Sequence, residues 1–252
     1  MATENNNYTL AQLLPKINSN AFINANTPTS GSSTYNLYVS LLNDAINVWE
    51  NEQNTLWNEL WVMNPPTFTI TAGLASVPLP TDFKFIGAGS IKLALANSTS
   101  VIGYPVKMLP EISLNPRTDQ KEFYISGNPT TGYTLYLGWT PATGDQEIGA
   151  VCSFYYYKHA NLLVNPTDMP EMSDPMFMVY KAAASIMAQS GNVANYERLE
   201  ELANNSLINM TILNNKASNF MDDYIKDIDN LLGYTGNPQL SKFNSSYWTR
   251  GN

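Results

Sequence analysis

Apolar residues recur at three- and four-residue steps near both ends of this chain, and at two-residue steps in its middle. The longest helical pattern runs from Tyr35 to Met63, with Tyr35, Tyr38, Val39, Leu42, Ile46, Trp49, Leu56, Trp57, Leu60 and Trp61 on one stripe. That spacing is the period of a helix with one buried face. The opposite face carries Asn43, Asn47, Asn51, Asn54 and Asn58, and the stripe skips seven residues across Gln53. Ser33 or Thr34 is placed to cap the helix, and Pro65-Pro66 closes it. A shorter helix is expected over Tyr8–Asn20. Thr9 is its cap, and Leu10, Leu13, Leu14 and Ile17 share a face, while Pro15 works against it.

From Thr67 to Tyr157 the chain is rich in Thr, Val, Ile and aromatics, broken by Gly and Pro. Strands are expected at Thr67–Thr71, Phe83–Ala96, Val101–Met108, Lys121–Ser126, Tyr133–Gly138 and Glu147–Tyr157. Phe68/Ile70 and Tyr133/Leu135/Leu137 alternate with small or polar residues, the period of a half-buried antiparallel strand. Helical spacing returns after Pro170. Asp174 is a cap with Pro175 behind it, Phe177, Tyr180, Ala184, Met187 and Ala188 form a face, and Gly191 is a stop. A second helix is expected from Asn192, lined by Tyr196, Leu199, Ala203, Ser206 or Leu207, Met210 and Leu213. A third is expected over Asn219–Leu232. Gly233 to Asn252 has no period and reads as an extended tail.

The fold class is therefore α+β: an antiparallel helical bundle with an inserted antiparallel β region and an extended C-terminal tail. The boundaries are 1–66 for the N-terminal helices, 67–158 for the β region, 159–217 for the C-terminal helix pair, and 218–252 for an amphipathic helix and tail. The helices at the two ends are expected to pack together, because each has an apolar stripe to bury.

Composition narrows the function. Hydrophobic residues are 44% of the chain and charged residues only 13%, while 31 of 252 residues are asparagine. The polar surface is thus built from amides more than ions. No run of apolar residues is long enough for a bilayer span, and Met1–Asn7 has no basic lead into an apolar stretch, so neither membrane nor export signal is expected. The net charge of −8, with 13 basic residues scattered, argues against gripping nucleic acid. A lone cysteine, Cys152, excludes an intrachain disulfide or a CxxC site.

Catalytic motifs are absent: no GxSxG, P-loop or HExxH occurs. Gly87-Ala88-Gly89 lacks the third glycine of a dinucleotide loop. His159 reads as a boundary residue and Cys152 as a small buried one. Glu200 and Glu201 belong on the polar side of a helix. Asp222, Asp223, Asp227 and Asp229 are a solvated acidic face before they are a cation site. No catalytic residue, cofactor or metal is expected, and no enzyme activity. Tyr155, Tyr156 and Tyr157 are consecutive, so in a strand they point to both faces, and a subunit interface suits them better than a sugar platform.

The tail holds Leu240, Phe243, Tyr247 and Trp248, with Lys242 and Arg250 and no acid after Asp229. Three readings stay open: it docks on another chain, it folds back on its own domain, or it is a free end. The first puts Leu240, Phe243, Tyr247, Trp248 and Arg250 at a partner's surface.

Taken together, the pattern resembles the head-to-tail adaptors of tailed bacteriophages, in the larger connector-ring or tail-accessory form of short-tailed phages. Three stretches carry the resemblance. They are Thr9-Leu10-Ala11-Gln12-Leu13-Leu14 with the Tyr35–Trp61 helix around Trp49-Glu50; Thr71-Ala72-Gly73 followed by Leu79-Pro80-Thr81-Asp82-Phe83; and Tyr155-Tyr156-Tyr157-Lys158 followed by Asp168-Met169-Pro170-Glu171, Phe177, Tyr180, Ala184 and Gly191. The likeness covers about residues 9 to 215. The chain departs from it at His159-Ala160, where proline is usual, and at Val77, where an aromatic is common. The resemblance implies a virion structural protein: a homo-oligomeric ring, a dodecamer, seated under the portal protein. Such a ring extends the channel through which genomic DNA passes without sequence-specific binding, and it carries a downstream tail or nozzle protein. It would be made in the host cytoplasm. The alternatives are a tail-associated peptidoglycan-degrading or carbohydrate-binding protein, or another collar or tail ring.

Overall fold

A computed structural model describes residues 8–23, 26–53, 55–62, 66–87, 90–96, 101–108 and 121–231. Helix α1 (Leu10–Asn20) starts at Thr9, whose N–H donates to Gln12 Oε1 at 2.9 Å. Two of its free N-terminal N–H groups are taken from outside the helix. Leu10 donates to the Asp168 carbonyl at 2.8 Å and Ala11 to the Pro166 carbonyl at 3.0 Å. These bonds tie the first helix to a loop more than 150 residues away and help it carry Pro15 on its exposed side.

Helix α2 is shorter than the sequence implies. It spans Ser33–Glu50, with Ser32 rather than Ser33 or Thr34 accepting the Tyr35 N–H at 3.1 Å. The chain then turns back, because Trp57 stacks on Trp49 (5.1 Å between centroids) and its indole N–H donates to the Trp49 carbonyl at 2.6 Å. Residues Asn58–Leu60 form one 3₁₀ turn. The break in the apolar stripe across Gln53 is thus a real end: Leu56, Trp57, Leu60 and Trp61 belong to a returning loop.

Helix α3 (Met176–Gln189) begins where expected, with Asp174 Oδ1 accepting the Met176 N–H at 3.0 Å. Gly191 follows its end at a φ of 72°, a left-handed conformation that glycine adopts without strain. The helix buries Phe177, Met178, Val179, Ala182, Ala183, Ala184 and Met187, more than one stripe, because it packs against three other helices. Helix α4 runs unbroken over Val193–Leu231. It takes in the separate helix expected over Asn219–Leu232, since no glycine or proline lies between Leu213 and Leu232 to end it. Its inward residues are Leu199, Ala203, Ser206, Met210 and Asn214, while the expected Tyr196 and Leu213 are exposed.

Among the described residues, all strands lie between α2 and α3. They are β1 (Thr67–Thr69), β2 (Ser76–Pro78), β3 (Phe83–Ile86), β4 (Ser90–Ala94), β5 (Val101–Met108), β6 (Phe123–Asn128), β7 (Gly132–Leu137), β8 (Val151–Ser153) and β9 (Tyr156–Lys158). Seven form one sheet in the order β1-β8-β4-β5-β6-β7-β2, and β3 pairs with β9 separately. The sheet is mixed, not antiparallel throughout. The first half of β5 pairs antiparallel with β4, and its second half pairs parallel with β6 (Val106 opposite Phe123). Parallel neighbours need a connection of about a dozen residues or more. The stretch between Met108 and Phe123 meets that need.

The expected strands Phe83–Ala96 and Glu147–Tyr157 each divide in two. Their halves pair with one another, β3 with β9 and β4 with β8, in different registers. The passage is marked by Gly87, whose N–H donates to the Tyr155 carbonyl at 2.8 Å. Strand β2 escapes the sequence pattern because it is three residues long and ends in Pro78, tolerable only at a sheet edge. Two hydrophobic clusters result, one among the helices and one within the sheet.

Candidate functional site at the junction of helices and sheet

Strand β9 is where the two clusters meet. One edge pairs with β3, and on its other side Trp61 bridges to Tyr157 while the Val62 N–H donates to the Tyr156 carbonyl at 3.0 Å. The three tyrosines therefore divide. Tyr156 turns inward, stacks on Phe83 and donates its hydroxyl to Asp82 Oδ1 at 2.9 Å. Burial, then the Asp82 carboxylate, pushes that hydroxyl's pKa up to about 12. Tyr155 and Tyr157 turn the other way, with Trp61 between them. Tyr155 lies flat on the indole at 5.5 Å, and Tyr157 meets its edge at 4.9 Å and stacks on Phe85 at 4.9 Å. This strip of four rings lies at the surface, with Tyr155 the most open. Gly87 makes the strip possible: a Cβ there would stand 1.9 Å from Trp61 Cζ3. That is a packing reason for a glycine whose neighbours resemble part of a nucleotide loop.

Beside the strip, Glu50 on the last turn of α2 reaches into the sheet. Its Oε1 is 2.8 Å from Lys84 Nζ of β3 and 2.7 Å from His159 Nδ1, and its Oε2 accepts the Ala160 N–H at 3.0 Å. Lys84 also donates to the Glu50 carbonyl (3.1 Å) and to Asn51 Oδ1 (3.2 Å), so one ammonium group caps the C-terminus of α2. Burial by itself raises the Glu50 carboxyl, yet the bonds from Lys84, His159 and Ala160 outweigh it and hold the group below the usual carboxylate range. His159 is thus a boundary residue with a defined partner, 109 positions away in sequence.

The returning loop after α2 and strand β3 enclose a groove of about 510 Å³, lined by Glu50, Asn51, Glu52, Gln53, Leu56 and Lys84. A separate void of about 20 Å³ beside it shares Glu50, Leu56 and Lys84 and touches Phe85 and Tyr157. Helix α4 fastens one side. Asn214 Nδ2 donates to the Leu56 carbonyl at 2.8 Å, and its Oδ1 accepts the Asn58 N–H at 2.9 Å. A buried asparagine was not legible in a chain with so many exposed ones, because its partners are backbone groups 156 and 158 residues away.

The remaining candidates fall as follows. Cys152 is fully buried in β8, and burial pushes its thiol up to about 12, leaving a poor nucleophile. Glu200 is not simply solvated, because it pairs with Lys181 of α3 at 2.8 Å. The side chains of Asp222, Asp223, Asp227 and Asp229 lie outside the described residues, as do Leu240, Phe243, Tyr247, Trp248 and Arg250. Among the described residues no group of three or more His, Cys, Asp or Glu is placed to hold a metal ion. No helix among them is long and apolar enough to cross a membrane.

Against known proteins, the model of the SU10 adaptor protein family matches residues 8–220. No curated protein matches the chain. The match takes in α1 to α3, α4 as far as residue 220, the whole sheet and the junction, and the chain belongs to this family of phage head-to-tail adaptors. It is thereby a bacteriophage structural protein and a component of the virion.

Proposed function

We propose that copies of this chain form a ring beneath the portal at the capsid vertex, extend the DNA channel and offer the platform on which the tail assembles. The carrying observation is the family match over residues 8–220. The physical properties of the chain support it. A net charge of −8 per copy, repeated around a ring, repels phosphate and lets DNA pass without being held. A surface of amides rather than ions suits large permanent contacts, where an unpaired buried charge is costly. In this reading Tyr155 and Tyr157, with Trp61, belong to the contact between neighbouring copies, while Tyr156 serves the core. Leu240, Phe243, Tyr247, Trp248 and Arg250 of the tail engage the portal. Electron microscopy of the protein mixed with its purified portal is the test. A ring of density under the portal is expected with the full chain and none with a chain ended after Leu232. Absence of any complex with the full chain overturns the reading.

A further inference from the structure

We propose that, in the free protein, the chain's own C-terminal segment folds back and seats in the groove between the α2–β1 connection and β3. The portal then has to draw it out.

The groove's chemistry defines what fits. Lys84 is already spent on three acceptors, two of Glu50 and one of Asn51. Glu52 at the rim has no cation paired with it among the described residues. Leu56 presents an apolar wall, 52% exposed, and the small void behind it is walled by the Phe85 and Tyr157 rings. A carboxylate rim over apolar and aromatic walls takes a peptide that is aromatic and basic. Residues 232–252 are such a peptide. They carry Phe243, Tyr247 and Trp248 with Lys242 and Arg250 and no acid. Residues 1–231 hold 11 basic and 21 acidic side chains, a net −10 against the segment's +2.

Chain length favours the same molecule. Asn214 pins α4 to the groove's edge at Leu56. From there α4 runs 17 residues to Leu231, which is about 26 Å at ~1.5 Å per residue. An extended chain covers that distance back in about eight residues. Those eight, 232–239, include Gly233 and Gly236-Asn237-Pro238, residues suited to reversing direction. Leu240 is then the first anchor to arrive. A tethered ligand acts at roughly millimolar effective concentration, well above that of another copy in dilute solution. The seat does not depend on the proposed function. Only its consequence does: hidden anchors make binding to the portal wait until the portal offers a better site.

The test uses the full chain with a photo-reactive benzophenone side chain in place of Leu56, or of exposed Gln53 should the first variant melt differently from the parent by circular dichroism. Irradiation and peptide mapping are expected to give links within one chain to residues 240–250, at a yield unchanged over a hundredfold dilution. Glu52→Lys is expected to lower that yield about tenfold. Links only between chains, with a yield that falls on dilution, assign the groove to a second copy and overturn the proposal. So does the absence of any link to the segment. Portal binding by the chain ended after Leu232 is a separate readout. It can fail or succeed without changing the crosslinking result.

Discussion

In the helices, the buried side chains recur three and four apart, mostly leucines, alanines and methionines with the rings of Tyr35, Tyr38, Trp49 and Phe177 among them, and α3 packs against the other three helices. In the sheet, the buried side chains are rings, leucines and isoleucines on short strands and their connections, pinned by contacts from distant parts of the chain: Phe123 against Phe68 and Trp139, Phe83 against Tyr133 and Tyr156. Each half also holds a buried glutamate that closes it. Glu50 ties α2 to β3 and to the residues after β9. Glu147, fully buried, takes Lys121 at 2.6 Å, the Tyr104 hydroxyl at 2.6 Å and Gln146 at 3.1 Å, tying the β7–β8 connection to β5 and to the residues just before β6. The helical half is stabilised by periodic burial. The sheet half depends on a few long-range pins, and Glu50 makes the two halves share one boundary.

The largest expected effect tests whether that boundary makes one folding unit. Phe177 in α3 and Phe123 in β6 are both fully buried, one in each cluster. Phe177→Ala and Phe123→Ala should each cost about 3–5 kcal/mol. If the halves are coupled as described, calorimetry of either variant shows one transition at lower temperature. Two transitions, with only the mutated half shifted, would break the comparison at its base.

The paired glutamates come next. Glu147→Gln leaves Lys121 without its counter-charge, and Glu50→Gln does the same to Lys84, at about 2–4 kcal/mol each. Their pH dependence has a fixed sign. Burial raises the Glu147 carboxyl, but its partners more than compensate and hold it at about 2 against the ordinary 4.5. The unfolded chain therefore takes up the proton first as pH falls. The stabilisation from Glu147 is complete above pH 4.5 and is lost between there and about 2. Glu50, also held low, loses its contribution in the same direction. Urea midpoints measured from pH 7 down to 3 should fall more steeply for the parent than for Glu147→Gln. Parallel curves would remove the role given to Glu147.

The same contrast explains what could be read from the sequence. The start and stop of α3 are local events, a cap at Asp174 and a left-handed Gly191, so the pattern located them. The family resemblance also rested on local text and was correct. The end of α2 is decided by Trp57 closing on Trp49, a side-chain contact that no stripe encodes. The division of the strands at Gly87, the parallel pairing of β5 with β6, and the burial of Asn214 are settled by partners far away in the chain. Of the junction, the tyrosines were visible as candidates. Trp61, Leu56 and Lys84 were not, because a residue on a loop or short strand shows its purpose only once its neighbours are in place.

Gly87 allows a sharper probe of the sheet side. Gly87→Val drives a branched side chain into the Trp61 ring, and overpacking of this kind costs about 1–3 kcal/mol. Trp61 is only half-buried and can swing aside, which sets the effect below that of the buried carboxylates. Near-ultraviolet circular dichroism should lose intensity from the Trp61–Tyr155 stack while the helical far-ultraviolet signal is kept. A change in the helical signal would mean the strip supports the helices as well.

The smallest effect on stability separates two adjacent residues. Tyr156→Phe removes one buried hydroxyl from Asp82 at a cost of about 1 kcal/mol, leaving the ring stack on Phe83 in place. Tyr155→Ser removes an exposed ring from the face of Trp61 and should change stability by no more than about 0.5 kcal/mol. Their order reverses for assembly. If the aromatic strip is a contact between copies, Tyr155→Ser weakens self-association measured by sedimentation, and Tyr156→Phe leaves it unchanged. Equal self-association of the two variants would return the strip to a purely structural role, with Tyr155 covering Trp61 and no neighbour covering Tyr155.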